Sequence, residues 1–76
     1  MITIYGKPNC IYCDQAKLLL NSHNLDYDYK ELDRDFTREE LLELNPNART
    51  FPQVFDGDRL IGGYDDLLFE CSKLWL

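Results

Sequence analysis

Two cysteines three positions apart, Cys10 and Cys13, are the residues whose type and spacing indicate chemistry in this sequence. They follow a short apolar run and precede a run with helical spacing, so a strand is expected to give way to a helix here. If the helix begins near Cys10, then Cys13 lies one turn further along the same face. The two α-carbons are then within the roughly 4.4–6.8 Å that a disulfide requires. The pattern therefore predicts thiol–disulfide exchange.

The first cysteine has the better setting for a nucleophile. Cys10 is expected at the N-terminus of the helix, where unpaired N–H groups and the helix dipole favour a thiolate. Lys7 lies three residues upstream, and both effects lower the pKa of a thiol from its free value of about 8.5. Asp14 opposes them with a negative charge, and the sequence does not decide which effect is larger. Cys10 is predicted to be the attacking thiolate and Cys13 the resolving thiol.

Length and charge restrict the classes of protein to which the chain can belong. Its 76 residues provide for a single domain, 1–76, with no internal linker. There are 14 acidic and 8 basic residues, and the formal net charge of −6 disfavours nucleic acid or an anionic membrane as a partner. No apolar run approaches the roughly 20 residues of a membrane span, and the sequence opens with no secretion signal. A cytoplasmic location is therefore expected, where thiols stay reduced unless they are catalytic.

The remaining pattern predicts an α/β protein with the element order β-α-β-α-β-β-α. Strands are expected at 2–5, 25–30, 53–55 and 60–61, and helices at about 10–23, at 38–44 and from 64–66 onward. Thr37 and Glu40 have the spacing of a capping box, Asn24 is a helix stop, and Asp56-Gly57 predicts a hairpin. The strand–helix–strand start implies parallel pairing and the hairpin antiparallel pairing. A mixed four-stranded sheet with three helices on its faces is expected.

Three segments together resemble the glutaredoxin family. Lys7 to Cys13 is similar to the family's Lys-x-x-Cys-Pro-Tyr-Cys, and Thr50 to Phe55 is similar to its Thr-Val-Pro followed by a strand. Ile61 to Leu67 is similar to its Gly-Gly-x-x-Asp-Leu. The three in this order, at these separations, cover almost the whole chain. The resemblance implies a thioredoxin-like fold and a glutathione-dependent enzyme that reduces protein disulfides and glutathione mixed disulfides.

The resemblance also implies how glutathione binds. The family's proline is cis, which implies a cis Phe51–Pro52 bond and an outward-facing Phe51 backbone with which a peptide thiol can pair. The start of the last helix, at Tyr64 and Asp65, offers N–H groups to the γ-glutamyl carboxylate. The side chain of Asp65 or Asp66 can take the amino group. The implied binding residues are Lys7, Tyr12, Thr50, Phe51, Pro52, Gly63, Tyr64, Asp65 and Asp66.

Several positions depart from the family pattern. Ile11 stands where the family usually has proline, which bears on the redox potential. Asp14 stands where a basic residue is frequent, which bears on thiolate stability. Lys7 is expected to meet the glycine carboxylate of glutathione, helped by a residue of the second helix. There the family carries glutamine or arginine and this chain offers Arg38 and Glu39, between which the sequence does not choose.

Two other functions stay open. One is a redoxin of similar sequence that takes electrons from thioredoxin reductase and serves ribonucleotide reductase, although Tyr12 and the Gly-Gly segment favour glutathione. The other is a metal or iron–sulfur module using Cys10, or a zinc site of Cys10, Cys13, His23 and Cys71, which lacks a second close pair of ligands. The favoured interpretation has no bound cofactor or metal and uses glutathione as a co-substrate. Its partners are disulfide-containing proteins, with ribonucleotide reductase a candidate.

The last helix is expected to close the core. Its apolar stripe is formed by Leu67, Leu68, Cys71, Leu74 and Trp75. Cys71 is expected to be a small buried core residue rather than a third reactive thiol. Because the pattern leaves no large apolar face uncovered, a monomer is expected.

Overall fold

The computed structural model describes residues 1–74, which form four strands and three helices in the predicted order. The strands are β1 (Ile2–Gly6), β2 (Tyr27–Glu31), β3 (Gln53–Asp56) and β4 (Arg59–Gly62). The helices are α1 (Ile11–Ser22), α2 (Arg38–Leu44) and α3 (Tyr64–Leu74). Trp75, predicted to close the core, lies outside the described residues, as does the side chain of Leu74. Within residues 1–74, none of the helices combines the length and apolar character needed to cross a membrane.

The four strands form one mixed sheet in the order β2-β1-β3-β4, with β1 and β3 at its centre. β1 runs parallel to β2 and antiparallel to β3, and β3 runs antiparallel to β4, so the predicted pairing is confirmed. Tyr5 near the end of β1 pairs with Gln53 at the start of β3. Gly62 at the end of β4 pairs with Val54. Three segments therefore meet at one end of the sheet: those that follow β1, precede β3 and follow β4.

Two hydrophobic clusters cover the two faces of the sheet. One contains side chains of β1, β3, α1 and α3, namely Ile2, Ile4, Ala16, Leu20, Val54, Leu67 and Cys71. The other joins Phe36 and Phe55 to Leu41 of α2. Since successive side chains of a strand point to opposite faces, Ile4 packs in the first cluster and Tyr5 against the second. α1 and α3 thus cover one face and α2 the other.

Local capping signals set the ends of the helices as predicted. Thr37 and Glu40 form a reciprocal capping box at the start of α2. At the end of α1, Asn24 has a φ of 56°, and its N–H donates to the carbonyl of Asn21 at 3.1 Å. The N–H of Leu25 donates to the carbonyl of Leu20 at 3.0 Å, which completes a Schellman motif.

Several predicted boundaries differ from the structure by one or two residues, and two of these differences have the same kind of cause. Cys10 is the N-cap of α1 rather than a helical residue, because its backbone is extended, with a φ of −117° and a ψ of 107°. β2 begins at Tyr27 rather than Leu25, because the N–H of Leu25 closes the preceding helix. In both cases the backbone groups of the residue belong to a cap, which an apolar–polar pattern does not report.

Candidate active site

Cys10 and Cys13 are joined by a disulfide at the start of α1, with their α-carbons 5.2 Å apart. The backbone N–H of Cys13 donates to Sγ of Cys10 at 3.1 Å. An N-cap side chain accepts such a bond from one of the first N–H groups of a helix, and here sulfur takes the place of the usual oxygen. In the reduced protein the same N–H and the helix dipole favour a thiolate at Cys10.

The two cysteines differ in accessibility. Cys10 retains 8% of its surface exposed, whereas Cys13 is fully buried. Cys10 is therefore the more accessible of the two cysteines to an incoming disulfide. This difference supports Cys10 as the attacking thiolate and Cys13 as the resolving thiol.

A groove of about 360 Å³ lies beside the start of α1. Its lining consists of residues from the three motifs: Tyr12, Thr50, Phe51, Pro52, Gly63, Tyr64, Asp65 and Asp66. These are eight of the nine glutathione-binding residues that the resemblance implies. The ninth, Lys7, is exposed, and its Nζ lies 5.7 Å from the centre of the Phe51 ring.

The loop before β3 forms one wall of this groove. The Phe51–Pro52 bond is cis, as the resemblance implies. Within residues 1–74, neither the N–H nor the carbonyl of Phe51 takes part in a hydrogen bond, so both are available to an extended peptide. Gln53 fixes the loop: its Nε2 donates to the carbonyl of Thr50 at 2.7 Å, and its Oε1 accepts from Asn45 at 3.1 Å.

The start of α3 forms the opposite wall. Oδ2 of Asp66 accepts the N–H of Gly63 at 3.1 Å, and the first intrahelical bond runs from the N–H of Leu67 to the carbonyl of Gly63. The N–H groups of Tyr64, Asp65 and Asp66 therefore have no carbonyl of α3 as a partner, and they lie beside the groove at the end of a helix where backbone N–H groups can accept an anion.

The segment before α3 requires glycine for a steric reason. Gly62 has a φ of 127°, and a Cβ built on it would collide with the carboxylate of Asp66. Glycine at this position allows Asp66 to reach back to the N–H of Gly63. The Gly-Gly pair, which could have been only a turn, is thus part of the cap of α3.

Two tyrosines connect the helices at the groove. The rings of Tyr12 and Tyr64 lie with their centres 5.8 Å apart and their planes 30° apart. Tyr12 is 58% exposed, so its ring is an accessible wall rather than part of the core.

Basic residues lie at the Thr50–Phe51 end of the groove. Arg38 of α2 and Arg49 line a small cleft that also includes Thr50 and Phe51. Of the two candidates on the second helix, Arg38 is therefore placed beside the groove wall, and Glu39 is not among the residues lining the cleft. Arg49 was missed from the sequence because only its place in the cleft with Arg38 and Phe51 gives it significance.

Gln53 was also missed as a site residue. In the sequence it opens an apolar strand, and its only signal is a polar side chain in that setting. The structure buries it and satisfies both ends of its amide, so its contribution is to hold the carbonyl of Thr50.

The four proposed zinc ligands are not brought together. Cys71 is buried in the core cluster, and burial, with Glu70 as a smaller contributor, raises the pKa of its thiol. His23 is the C-cap of α1, at the opposite end of the helix from Cys10. In the described part of the chain, no three His, Cys, Asp or Glu side chains are grouped as a metal ion would require.

Comparison with known proteins agrees with this geometry. A family model described as Glutaredoxin matches residues 2–61. The chain is 35% identical over 66 residues to glutaredoxin 3 of Escherichia coli K12, covering 87% of this chain and 80% of that protein. It is 35% identical over 72 residues to a glutaredoxin of Haemophilus influenzae, covering 86% of this chain and 83% of that one.

Solved structures give the same result. Glutaredoxin 1 from Francisella tularensis, complexed with cacodylate, superposes with a TM-score of 0.79 at 26% identity, covering 96% of this chain and 93% of that one. The complex of buckwheat glutaredoxin with glutathione superposes with a TM-score of 0.81 at 29% identity, covering 95% and 68%. The predicted thioredoxin-like architecture is confirmed by these similarities.

Proposed function

The chain belongs to the glutaredoxin family, and from this premise we propose that it uses glutathione to reduce protein disulfides and glutathione mixed disulfides through Cys10 and Cys13. The observation that carries the proposal is the groove beside α1. The groove brings together the unbonded backbone N–H and carbonyl of Phe51, the N-terminus of α3 at Tyr64 and two tyrosine rings. A single bound peptide can reach all of them.

On a glutathione mixed disulfide, the thiolate of Cys10 attacks the glutathionyl sulfur. The Cys10–glutathione disulfide forms, the original S–S bond breaks, and the substrate leaves as a thiolate that takes a proton from water. A second glutathione thiolate then attacks the glutathionyl sulfur and restores the thiolate of Cys10, and the product is glutathione disulfide. The rate depends on the thiolate fraction of Cys10 and on the leaving thiol.

On a protein disulfide, both cysteines are required. Cys10 forms a mixed disulfide with one sulfur of the substrate, and the second substrate sulfur leaves. Cys13 then attacks Cys10, which releases the reduced substrate and closes the Cys10–Cys13 disulfide. Two glutathione molecules reduce that disulfide and become glutathione disulfide.

Glutathione is proposed to lie along the groove with its backbone paired to Phe51. Its γ-glutamyl carboxylate meets the free N–H groups at the start of α3, and its amino group meets Asp65 or Asp66. Its glycine carboxylate lies toward Lys7 and Arg38, which flank Phe51. The buckwheat glutaredoxin of similar fold forms a complex with the same peptide, which supports this assignment.

The function is tested by turnover of a glutathione mixed disulfide in an assay coupled to glutathione and glutathione reductase. The wild type is expected to be active and Cys10→Ser inactive on every substrate. Cys13→Ser is expected to keep deglutathionylation and to lose reduction of a protein disulfide such as that of insulin. Loss of both activities in Cys13→Ser would contradict the roles assigned to the two cysteines.

A second assay tests the alternative that thioredoxin reductase supplies the electrons. Turnover with thioredoxin reductase and NADPH in the absence of glutathione would favour that alternative, whereas the groove favours glutathione.

Ribonucleotide reductase is proposed as one electron acceptor on the resemblance alone, to be tested with this protein as its sole electron donor. A monomer is proposed, to be tested by sedimentation equilibrium.

A further inference from the structure

Three basic residues lie around Phe51 in a chain whose formal net charge is −6. Nζ of Lys7 lies 5.7 Å from the centre of the Phe51 ring, and Arg38 and Arg49 line the cleft that includes Phe51. All three are exposed, and they belong to three separate segments: the loop before α1, the start of α2 and the loop before β3. The fold therefore concentrates positive charge at this end of the groove.

This charge is not neutralised by neighbouring carboxylates. Within residues 1–74, no carboxylate lies within ion-pairing distance of Lys7, Arg38 or Arg49. Three of the other five basic residues do form such pairs, namely Lys17 with Asp14, Arg34 with Asp35 and Arg59 with Glu70. The cations around Phe51 are thus available to a negatively charged ligand.

The cleft adjoins the groove at Thr50 and Phe51, which line both. In the proposed binding mode, glutathione runs from the start of α3 to Phe51, so the residue that follows its cysteine lies toward the basic end. A longer peptide bound in the same direction continues past Phe51 at about 3.3 Å per residue. Its next residues therefore come within reach of Arg38 and Arg49.

Glutathione uses only part of this positive charge. It has one carboxylate at the end that lies toward Phe51, and Lys7 and Arg38 are assigned to that carboxylate. Arg49 has no role in this binding mode, although it lines the same cleft. A substrate with further negative charge after its cysteine would engage it, because a guanidinium binds a carboxylate through charge-assisted hydrogen bonds.

Resting on the proposed function, we propose that this enzyme selects protein disulfides whose reactive cysteine is followed, within two or three residues, by acidic side chains. Arg49, together with Arg38 and Lys7, is the determinant of this specificity. The selection acts on the rate of encounter and on the register of the bound chain, as expected of exposed charges at the rim of a binding site.

The selection belongs to the first chemical step on a protein disulfide. The thiolate of Cys10 attacks one substrate sulfur, whose flanking residues lie in the groove, and the other substrate sulfur leaves as a thiolate and takes a proton from water. Cys13 then loses its proton to water and attacks Sγ of Cys10, which closes the Cys10–Cys13 disulfide and releases the first substrate thiol. Two electrons pass from the two cysteines to the substrate disulfide.

The test compares two peptides, each as its own symmetric disulfide, in a single turnover with the reduced protein. In one peptide the cysteine is followed by a glycine and two glutamates, and in the other by a glycine and two glutamines. Both have blocked termini. The released thiol is measured by chromatography after an acid quench, and each rate is divided by that of the same peptide disulfide with 2-mercaptoethanol.

The wild type is expected to reduce the glutamate peptide about fivefold faster than the glutamine peptide, since each exposed charge pair contributes a small factor. This preference is expected despite the net negative charge of the protein, which repels the glutamate peptide. It is expected to fall toward one at about 0.5 M salt, because salt screens exposed charges. Equal rates at low salt, or a faster glutamine peptide, would overturn the proposal.

Arg49→Met is expected to lower the preference about threefold, whereas Arg49→Lys is expected to keep most of it. Lys73→Met is the matched control, because it removes one exposed positive charge at the far end of α3, where Lys73 lies beside the ring of Phe69. An unchanged preference in Arg49→Met would overturn the proposal. A loss in Lys73→Met as large as that in Arg49→Met would do the same, because net charge would then explain the effect.

This measurement uses no glutathione, so its failure differs from failure of the proposed function. Equal rates for the two peptides would refute the selection while glutathione turnover stays normal. A protein that shows the preference but does not turn over a glutathione mixed disulfide would contradict the proposed co-substrate instead. Reduction of neither peptide would contradict the roles of Cys10 and Cys13, and the selection with them.

Discussion

Asp65 and Asp66 are adjacent carboxylates with different tasks. Asp66 accepts the N–H of Gly63 and so caps α3, whereas Asp65 is exposed and makes no hydrogen bond to another described residue. Both add the same kind of charge to the first turn of α3, which the helix dipole favours. The cap is the contribution that only Asp66 makes.

We therefore expect Asp66→Ala to lower the free energy of unfolding by about 1 kcal/mol more than Asp65→Ala does. The measurement is urea denaturation followed by circular dichroism, with Asp65→Ala as the matched control for charge. Equal losses in the two variants would show that the cap contributes nothing beyond the helix dipole. Asp66→Asn, which keeps an acceptor oxygen, is expected to recover most of the difference.

α2 is a short element whose start is set by its capping box. It has 7 residues and one buried side chain, Leu41, which packs with Phe36 and Phe55. A helix this short is not stable on its own, so the cap and this contact together determine whether it forms. Because Arg38 and Leu41 line the cleft beside Thr50 and Phe51, fraying of α2 would also loosen one wall of the groove.

Thr37→Ala is expected to lower the free energy of unfolding by about 1 kcal/mol, because it leaves the N–H of Glu40 without its acceptor. Ser22→Ala is the control: the Ser22 hydroxyl also bonds at a helix end, donating to the carbonyl of Leu19 at 2.7 Å, but it satisfies no unpaired helix N–H. Ser22→Ala is expected to stay within about 0.5 kcal/mol of wild type. The measurement is the denaturant midpoint of each of the two variants and of Thr37→Ser. If Ser22→Ala lowered the free energy of unfolding as much as Thr37→Ala does, the argument from the unpaired helix N–H would be contradicted.

The elements that sequence predicts well are those with local causes. The capping box at Thr37 and the helix stop at Asn24 each depend on side chains and backbone within a few residues, and both were predicted. The second strand was predicted, but its start was placed two residues too early, because the N–H of Leu25 completes the motif that ends α1 although the apolar–polar alternation already begins there. Periodicity reports which face a side chain prefers and does not report where its backbone N–H donates.

The groove was predictable as a list of residues, but its supporting contacts were not. Resemblance to three motifs named the lining residues, and the antiparallel pairing of β1 with β3 brings two of those motifs together. Gln53 bonds to Asn45 and Thr50, and Arg49 lines a cleft with Arg38 of α2. These contacts depend on how the loop before β3 folds, and no spacing rule points to them.

At the scale of the whole molecule, the core of this small protein includes an ionisable group. Cys71 is 1% exposed within the cluster shared by β1, α1 and α3. A chain of 76 residues buries only about 60% of its unfolded surface, so the stability that remains is small and sensitive to single groups. The thiol packs as an apolar side chain only while it keeps its proton.

The raised pKa of Cys71 sets the direction of the pH dependence. Burial is the main cause and Glu70 a smaller one, so the thiol loses its proton at higher pH in the folded than in the unfolded protein. Its contribution to stability is complete below the unfolded pKa, and it is lost as pH rises through the folded pKa. Ionisation of Tyr29 likewise lowers the free energy of unfolding, at a higher pH, because burial raises the pKa of its hydroxyl.

In a Cys10→Ser/Cys13→Ser background, which excludes disulfide exchange, the free energy of unfolding is therefore expected to fall from about pH 8 upward. Adding Cys71→Ala is expected to cost about 1 kcal/mol at neutral pH through the lost packing, and to flatten the first part of the alkaline decline. Adding Tyr29→Phe is expected to leave that first part unchanged and to flatten the decline at higher pH. Urea denaturation at a series of pH values measures these slopes, and an unchanged alkaline slope in the Cys71→Ala variant would show that the buried thiol does not limit the stability of the fold at high pH.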